Sequence, residues 1–567
     1  MLPKPSSFPV MSPLWLGFWA VLFALSWLVP VVVLPWNTFS ADTWSAFMLL
    51  VAALVLVVRS RLALGWHGLS CLAAVLVLVP WLQFFFGLLP FAGLAWMASA
   101  YLLGFLLALL MGARWEQLNA GQFAHALFIA AGIAGIASVG LELYGWLGLR
   151  EGGILGMWAM NATGITRQYA NLGQPNQLAT LLLWGLMACL WAYLHRVVGA
   201  ASAVVMAAFL LLGVALTQSR AALLGLSVML MASWFWRSLW PSRRLPWVAL
   251  ALYAYVLIIP SFLRWLNAAL LLGQSDVYVR VAQQGELRLS AWRLFLHAVM
   301  KQPWAGYGWA HVGAAQIVVA DQFQTLGGVF QSSHNLFLDL VLWTGLPIGL
   351  LVSGMLVWWF VAAFRAVRRP EDAVLLLLLA GIGIHALVEF PLQYAYFLLP
   401  VGVVMGVLNV RLGIQVVGST SRRVLAFVWL AAAVVLGVTV RDYLEVETSY
   451  ELLRLEQSLI GQGRPPMGEP PDVWVLTHMR TWIVVSRYKP YSGMSQQELD
   501  NLRNIALRNP SGAVLYQLAV ALTLNGQPDE VPVWLKKLCR FGGEEQCRTA
   551  QKRWKEDKRL PAISWPK

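Results

Sequence analysis

Charge is what this chain has least of. Asp, Glu, Lys and Arg make up 12% of its 567 residues, about half the share of a soluble globular protein. With 59% hydrophobic residues and a mean hydropathy of +0.67, a soluble fold is excluded. Cysteine is scarce as well: there are four, so the chain is no disulfide-rich scaffold. Cys71 and Cys189 fall inside apolar runs and read as packing residues. Cys539 and Cys547 lie in a polar tail, where they either stay free or pair if the tail faces an oxidising compartment. Metal signatures are missing: there is no Asp-x-Asp pair, no His-x-x-x-His and no clustered cysteine. No phosphate-cradling glycine loop is present either. A site without metal has to neutralise developing negative charge with other cations such as arginine.

What the chain has is apolar runs long enough to cross a bilayer. They fall at about 13–34, 42–58, 66–87, 91–112, 122–147, 177–195, 199–218, 221–236, 246–263, 334–363, 373–390, 397–412 and 424–441. The expectation is an all-α polytopic membrane protein with about 13 transmembrane helices. Thirty tryptophans suit the aromatic belts at headgroup level. The first run is followed by many others, so it reads as an anchor and not as a cleavable signal. The formal net charge of +14 raises nucleic acid as a partner. Much of the basic excess, however, lies in short alternate loops, for example Arg59 and Arg61, Arg243 and Arg244, Arg368 and Arg369, and Arg422 and Arg423. Basic short loops stay in the cytoplasm. The N-terminus is then inside, and an odd number of spans places the C-terminus outside, with membrane lipid and not nucleic acid as the surrounding partner.

Two long segments interrupt the outer face, 150–176 and 264–333. The division expected is therefore a transmembrane domain over 1–441, carrying those two loops, and a helical domain over 442–567. In the tail, a helix opening near Pro510, a turn at Asn525-Gly526-Gln527 and a second helix over Val531 to Phe541 look like one tetratricopeptide-type repeat or a generic helical hairpin.

The polar residues at the outer mouth carry the chemistry. Gly173-Gln174-Pro175-Asn176-Gln177 is either a capped helix start or a set of amides that hold sugar hydroxyls or phosphate oxygens. Arg220, in Thr217-Gln218-Ser219-Arg220, sits between two spans with almost no loop. It either snorkels to headgroups or pairs bidentately with a diphosphate. Arg280, Arg288 and Arg293 lie along a run that is helical from about Asp276 to Met300. That helix would lie flat on the membrane with Trp292, Leu294, Phe295 and Val299 in lipid. His334 ends the longest outer loop, follows Ser332 and Ser333 and precedes Asn335. Asp339 is spaced to approach it. An imidazole there is either a structural helix start or a proton acceptor near neutral pH. His385, Glu389, Gln393, Tyr394 and Tyr396 cluster at the end of the eleventh span.

These blocks, in this order, resemble the Wzy/O-antigen ligase superfamily. The likeness is carried by Asn171 to Ala179, Thr217 to Arg220, Pro303 to Gly308, Ser333 to Gly345, and Glu389 to Tyr396. Within the superfamily the chain is most similar to bacterial protein O-oligosaccharyltransferases of the pilin-glycosylating (PglL) type. The resemblance implies inverting, metal-independent transfer of a glycan from undecaprenyl diphosphate, with no cofactor, in the bacterial inner membrane with the site facing the periplasm. The acceptor it implies is a protein Ser or Thr, lipid A core or another glycan. The family's essential histidine matches His334. Its arginines match Arg220 and Arg288, its glutamine Gln174 or Gln177, and its tyrosine Tyr394 better than Tyr396. Gln393 stands where several relatives carry histidine. A lipid-linked sugar transporter is the rival from another class. It needs charged groups at mid-depth of the bilayer, and these spans hold few.

Overall fold

The computed structural model describes residues 13–30, 33–59, 64–149, 155, 167–270, 278–323, 326, 328–458 and 469–565. Among them, nine helices are long and apolar enough to cross a membrane: Phe39–Val58, Gly68–Phe85, Ala92–Leu118, Gln122–Trp146, Pro175–Leu194, Ala200–Thr217, Leu245–Ala269, Leu336–Ala366 and Arg422–Gln457. Leu14–Leu28, Arg220–Phe235 and Ala395–Arg411 are shorter apolar helices. The protein is thus a mostly helical, multi-pass membrane protein. Its one sheet among the described residues is a two-stranded antiparallel pair, Leu64–His67 with Val416–Thr420. The run expected over 66–87 is split into Gly68–Leu76 and Val79–Phe85 by a turn just before Pro80, whose ring cannot continue a helix from the preceding turn.

The chain forms two compact units. The first comprises 1–74, 101–279 and 355–436. Its centre is the Pro175–Leu194 helix, buried nearly all round and packed by Gln122–Trp146, Ala200–Thr217 and Pro370–Ala386. Glycine sets the closest approach. A Cβ added at Gly112 would strike the Val403 carbonyl, and one at Gly406 would strike that of Leu109. Two helices therefore touch backbone to backbone, the small-residue contact that membrane helices favour. One cluster of charges is paired: Arg411 bonds Asp372 at 2.5 Å and Glu116 at 3.1 Å. Glu116 also accepts the Gly121 N–H.

The second unit comprises 75–100, 280–354 and 437–567. The segment 264–333 is not a bare loop in the structure. It contains the end of Leu245–Ala269, then Tyr278–Lys301 and Val312–Val318. The helix expected from about Asp276 is present, but the face expected in lipid is not exposed. Leu294, Phe295 and Val299 are buried inside the second unit, and Trp292 donates to the Ser333 carbonyl. Phe330 packs on Phe295 and claims that face. In the tail, Gln496–Arg508, Gly512–Leu524 and Val531–Glu556 pack consecutively as antiparallel neighbours would, each pair joined by a short link. A capping box at Ser495 and Glu498 starts the first of them. Cys539 and Cys547 are joined in a disulfide across a kink where Gly543 takes φ 70°. Arg422–Gln457 runs unbroken through the expected boundary at 441/442. Its 36 residues span about 54 Å, well beyond a bilayer core.

Candidate functional site

In the first unit, polar side chains gather where Pro175–Leu194 begins. Pro175 opens the helix at its first position and Gln174 is the N-cap, yet the Gln174 side chain makes no cap bond and is half-buried. Asn176 has the structural role instead. Its Oδ1 accepts Arg167 Nη2 at 3.1 Å and Ser219 Oγ at 2.8 Å, and its Nδ2 donates to Glu389 at 3.1 Å. Arg167 Nε also donates to the Thr217 carbonyl. One turn on, Thr180 Oγ1 and His385 Nδ1 share a hydrogen bond of 2.7 Å. Gln177 accepts the Tyr396 hydroxyl and also hydrogen bonds Tyr394. The two tyrosine rings stack at 5.4 Å. Both candidate tyrosines thus meet on Gln177, and among the described residues Gln174 makes no hydrogen bond to either.

Asp42 was not singled out in the sequence. It is buried, and it accepts from Thr38, Trp36 and Tyr101 side chains and from the Ala395 N–H at 2.6 Å. It thereby fixes the residue between Tyr394 and Tyr396. The available signal was that Asp42 is the single acidic residue of the Phe39–Arg59 helix, and ionisable groups inside spans are functional or structural anchors by default.

Arg220 is placed differently. It is the first residue of Arg220–Phe235, following the N-cap Ser219, and its side chain is exposed with no hydrogen bond or ion pair among the described residues. A cation at a helix N-terminus faces the positive end of the dipole, so fold stability gives no reason for it there.

In the second unit, His334 occupies a braced turn. Its φ is +59°, a left-handed conformation that costs a non-glycine residue of order 1 kcal/mol. Three bonds hold it: the His334 N–H donates to Ser332 Oγ at 2.9 Å, Ser332 Oγ donates to Asp339 at 2.6 Å, and the Ser333 N–H donates to Asp339 at 2.7 Å. Asp339 therefore supports His334 through the serines. The imidazole is half-buried, with Phe330 edge-on at 5.7 Å. Asn335 Oδ1 caps the next helix by accepting from Phe337 and Leu338, so this oxygen is committed to the backbone. Arg288 is half-buried on Tyr278–Lys301. Arg280 is in the same helix, and its side chain lies outside the described residues, as do 150–154 and 156–166 of the other expected loop.

Elsewhere in this unit a second histidine marks a closed environment. His311 is buried and donates from Nδ1 to the Tyr307 carbonyl. Burial, and then the nearby Arg508 guanidinium, push it down to about 4.

Fold and polar groups together define a multi-pass membrane protein with strained and unpaired polar side chains at helix ends. Comparison with known proteins gives the chemistry. Residues 169–194 match the protein glycosylation ligase family, 205–353 the O-antigen ligase family, and 373–555 the C-terminal region of the virulence factor membrane-bound polymerases. A general O-oligosaccharyltransferase of Acinetobacter baylyi is 29% identical over 537 residues, covering 92% of this chain and 91% of the relative. A ComP-specific O-oligosaccharyltransferase of the same organism is 31% identical over 277 residues, 47% of this chain and 49% of the relative. The chain is accordingly similar to O-oligosaccharyltransferases and O-antigen ligases along most of its length, and it is an enzyme of the glycosyltransferase type. The matched stretches include Gln174 and Gln177, then Arg220, Arg288, His334 and Asn335, then Tyr394.

Proposed function

We propose that this enzyme moves a glycan en bloc from undecaprenyl diphosphate to Ser or Thr hydroxyls of periplasmic proteins such as pilin. In this reading it is inverting and metal-independent, and works in the bacterial inner membrane. The observation that carries the proposal is His334, held at an unfavourable φ by three hydrogen bonds within the stretch that matches O-antigen ligases. Strain maintained by its surroundings is a mark of working residues. His334 accepts the proton of the acceptor hydroxyl as that oxygen attacks the anomeric carbon. The sugar–phosphate bond breaks from the opposite side, which inverts the centre, and undecaprenyl diphosphate leaves.

The leaving diphosphate needs cations. Arg220, exposed and without a protein partner among the described residues, fits that task, because its fork matches phosphate oxygens. Arg288 and Arg280 are the further candidates on the helix Tyr278–Lys301. Gln177 with Tyr394, and Gln174, bind substrate oxygens, and Asn335 keeps the His334 turn in register. The disulfide between Cys539 and Cys547 supports an oxidising compartment for the tail. With Pro370–Ala386 and the shorter apolar helices also crossing, the count reaches the 13 spans of the sequence reading.

The match of 205–353 to O-antigen ligases favours lipid A core as the second candidate acceptor. Purified enzyme is mixed with lipid-linked glycan and either a pilin-like protein or lipid A core, and products are weighed by mass spectrometry. Glycan mass added to the protein is the expected result. Addition to lipid A core alone overturns the acceptor assignment, and movement of the lipid-linked glycan across the bilayer without transfer would mark a transporter.

A further inference from the structure

Tyr278–Lys301 has two faces. Ala291, Leu294, Phe295, Ala298 and Val299 are buried within the second unit. On the opposite side Leu289 is 55% exposed, Leu296 57% and Met300 73%, and Trp304, just past the helix end, is 77% exposed. With the exposed Arg293 these positions recur at helical spacing and form one stripe. Lys301 is exposed beside its end. Water is a poor solvent for a stripe of this composition, and nothing else among the described residues of the unit covers it.

The end of the stripe is tied to a membrane helix. Leu346 N–H donates to the Pro303 carbonyl at 2.7 Å, Tyr307 N–H to that of Leu342 at 2.7 Å, and Gly308 N–H to that of Trp343 at 3.2 Å. A Cβ on Gly345 would strike the Trp304 carbonyl, so the two backbones are in contact there. Leu336–Ala366 is kinked at that residue, where Gly345 takes φ 78° and ψ 171°. From Pro347 to Ala366 the helix has length for about 30 Å, the thickness of the hydrocarbon core. Just past the kink, Ile348, Leu350 and Leu351 are exposed apolar residues. Trp304 therefore lies against the kink from which the span sets out, and the membrane surface is the level tryptophan prefers.

We propose that Leu289, Leu296, Met300 and Trp304 seat Tyr278–Lys301 in the plane of the bilayer surface, with Arg293 and Lys301 reaching to lipid phosphates. The lipid-facing side is the reverse of the one that the sequence pattern indicated. The seat has a consequence for His334. Trp292, on the same helix, donates to the Ser333 carbonyl at 3.0 Å, so the depth of the helix sets the depth of the histidine. That positioning role rests on the proposed function, whereas the depth of the helix does not.

The test uses the full chain in phospholipid nanodiscs. Leu296→Cys and Met300→Cys are each labelled with a nitroxide, and the parent chain, labelled in parallel, reports any contribution from Cys71 and Cys189. Collisions with oxygen more frequent than collisions with a water-soluble nickel chelate are expected at both positions. The reverse ratio overturns the proposal in favour of a solvated face. Protection from both reagents overturns it in favour of a protein partner or a second copy. In the same membranes the double variant Leu296→Glu, Met300→Glu should lose about tenfold in glycan transfer, since small displacements of a reacting group are that costly. Unchanged transfer in that variant overturns the positioning role. If the parent chain transfers nothing, the proposed function fails while the label ratios still decide the seat.

Discussion

The Asn176 cluster and the His334 turn are both polar, and their construction is opposite. Asn176 is buried, and both ends of its amide are bonded: to Arg167, Ser219 and Glu389. Every bond there lowers the energy of the fold. At His334 the bonds go to the backbone and to the flanking serines, and they hold a half-buried ring in a conformation it does not prefer. Arg220 is exposed and has no partner among the described residues. A polar group that is closed on all sides has little left for a substrate, whereas one that is braced but open can act on it. Closed groups should therefore govern stability, and open ones rate.

Four measurements sharpen or break that contrast. The largest effect is expected for His334→Ala, which should cut glycan transfer by ~10²–10⁴-fold and leave the melting temperature unchanged or slightly lowered, because alanine keeps the Cβ that a φ of +59° disfavours. Full activity in that variant would break the comparison at its open end. Next comes pH. Burial keeps His311 neutral in the folded protein, with its value lowered to about 4 from the ordinary 6.5, so below pH 6.5 the unfolded chain takes up a proton that the folded chain refuses. Stability should fall as pH drops from 6.5 towards 4 and level off below, by on the order of 3 kcal/mol at most. His478, also pushed down by burial and then by Arg508, adds in the same direction. His311→Gln should flatten the fall in pH-dependent melting curves.

Asn176→Ala removes the shared partner of Arg167, Ser219 and Glu389, and should cost about 2 kcal/mol or more in thermal unfolding. A loss of transfer with no loss of stability would place Asn176 among the open groups. The smallest effect is expected for Arg220→Lys, which keeps the charge and loses the fork. Transfer should fall by about tenfold through a weaker hold on the donor, with the melting temperature unchanged.

Much of this was legible in the chain. Uninterrupted apolar runs have to be helices in a membrane, so most spans could be marked, and the helix near Asp276 to Met300 followed from its pattern. His334 and Arg220 stood out because a titratable or charged group beside an apolar run needs a reason. The break before Pro80, the kink at Gly345 and the unbroken passage of Arg422–Gln457 through residue 441 escaped, since hydropathy reports length and not direction. Gln174 and Gln177 were indistinguishable by type; packing separates them, sending Gln177 to the two tyrosines.

By itself the sequence determined that this protein lives in a membrane as helices and that its candidate polar side chains sit at helix ends. Scarcity of charge and the cost of burying a polar group in lipid leave no other arrangement. Which polar groups close on one another, and which face of Tyr278–Lys301 is buried, only the tertiary structure decided. Partners such as Asn176 and Glu389, 213 residues apart, meet because of how helices pack, and no local pattern encodes such a distance.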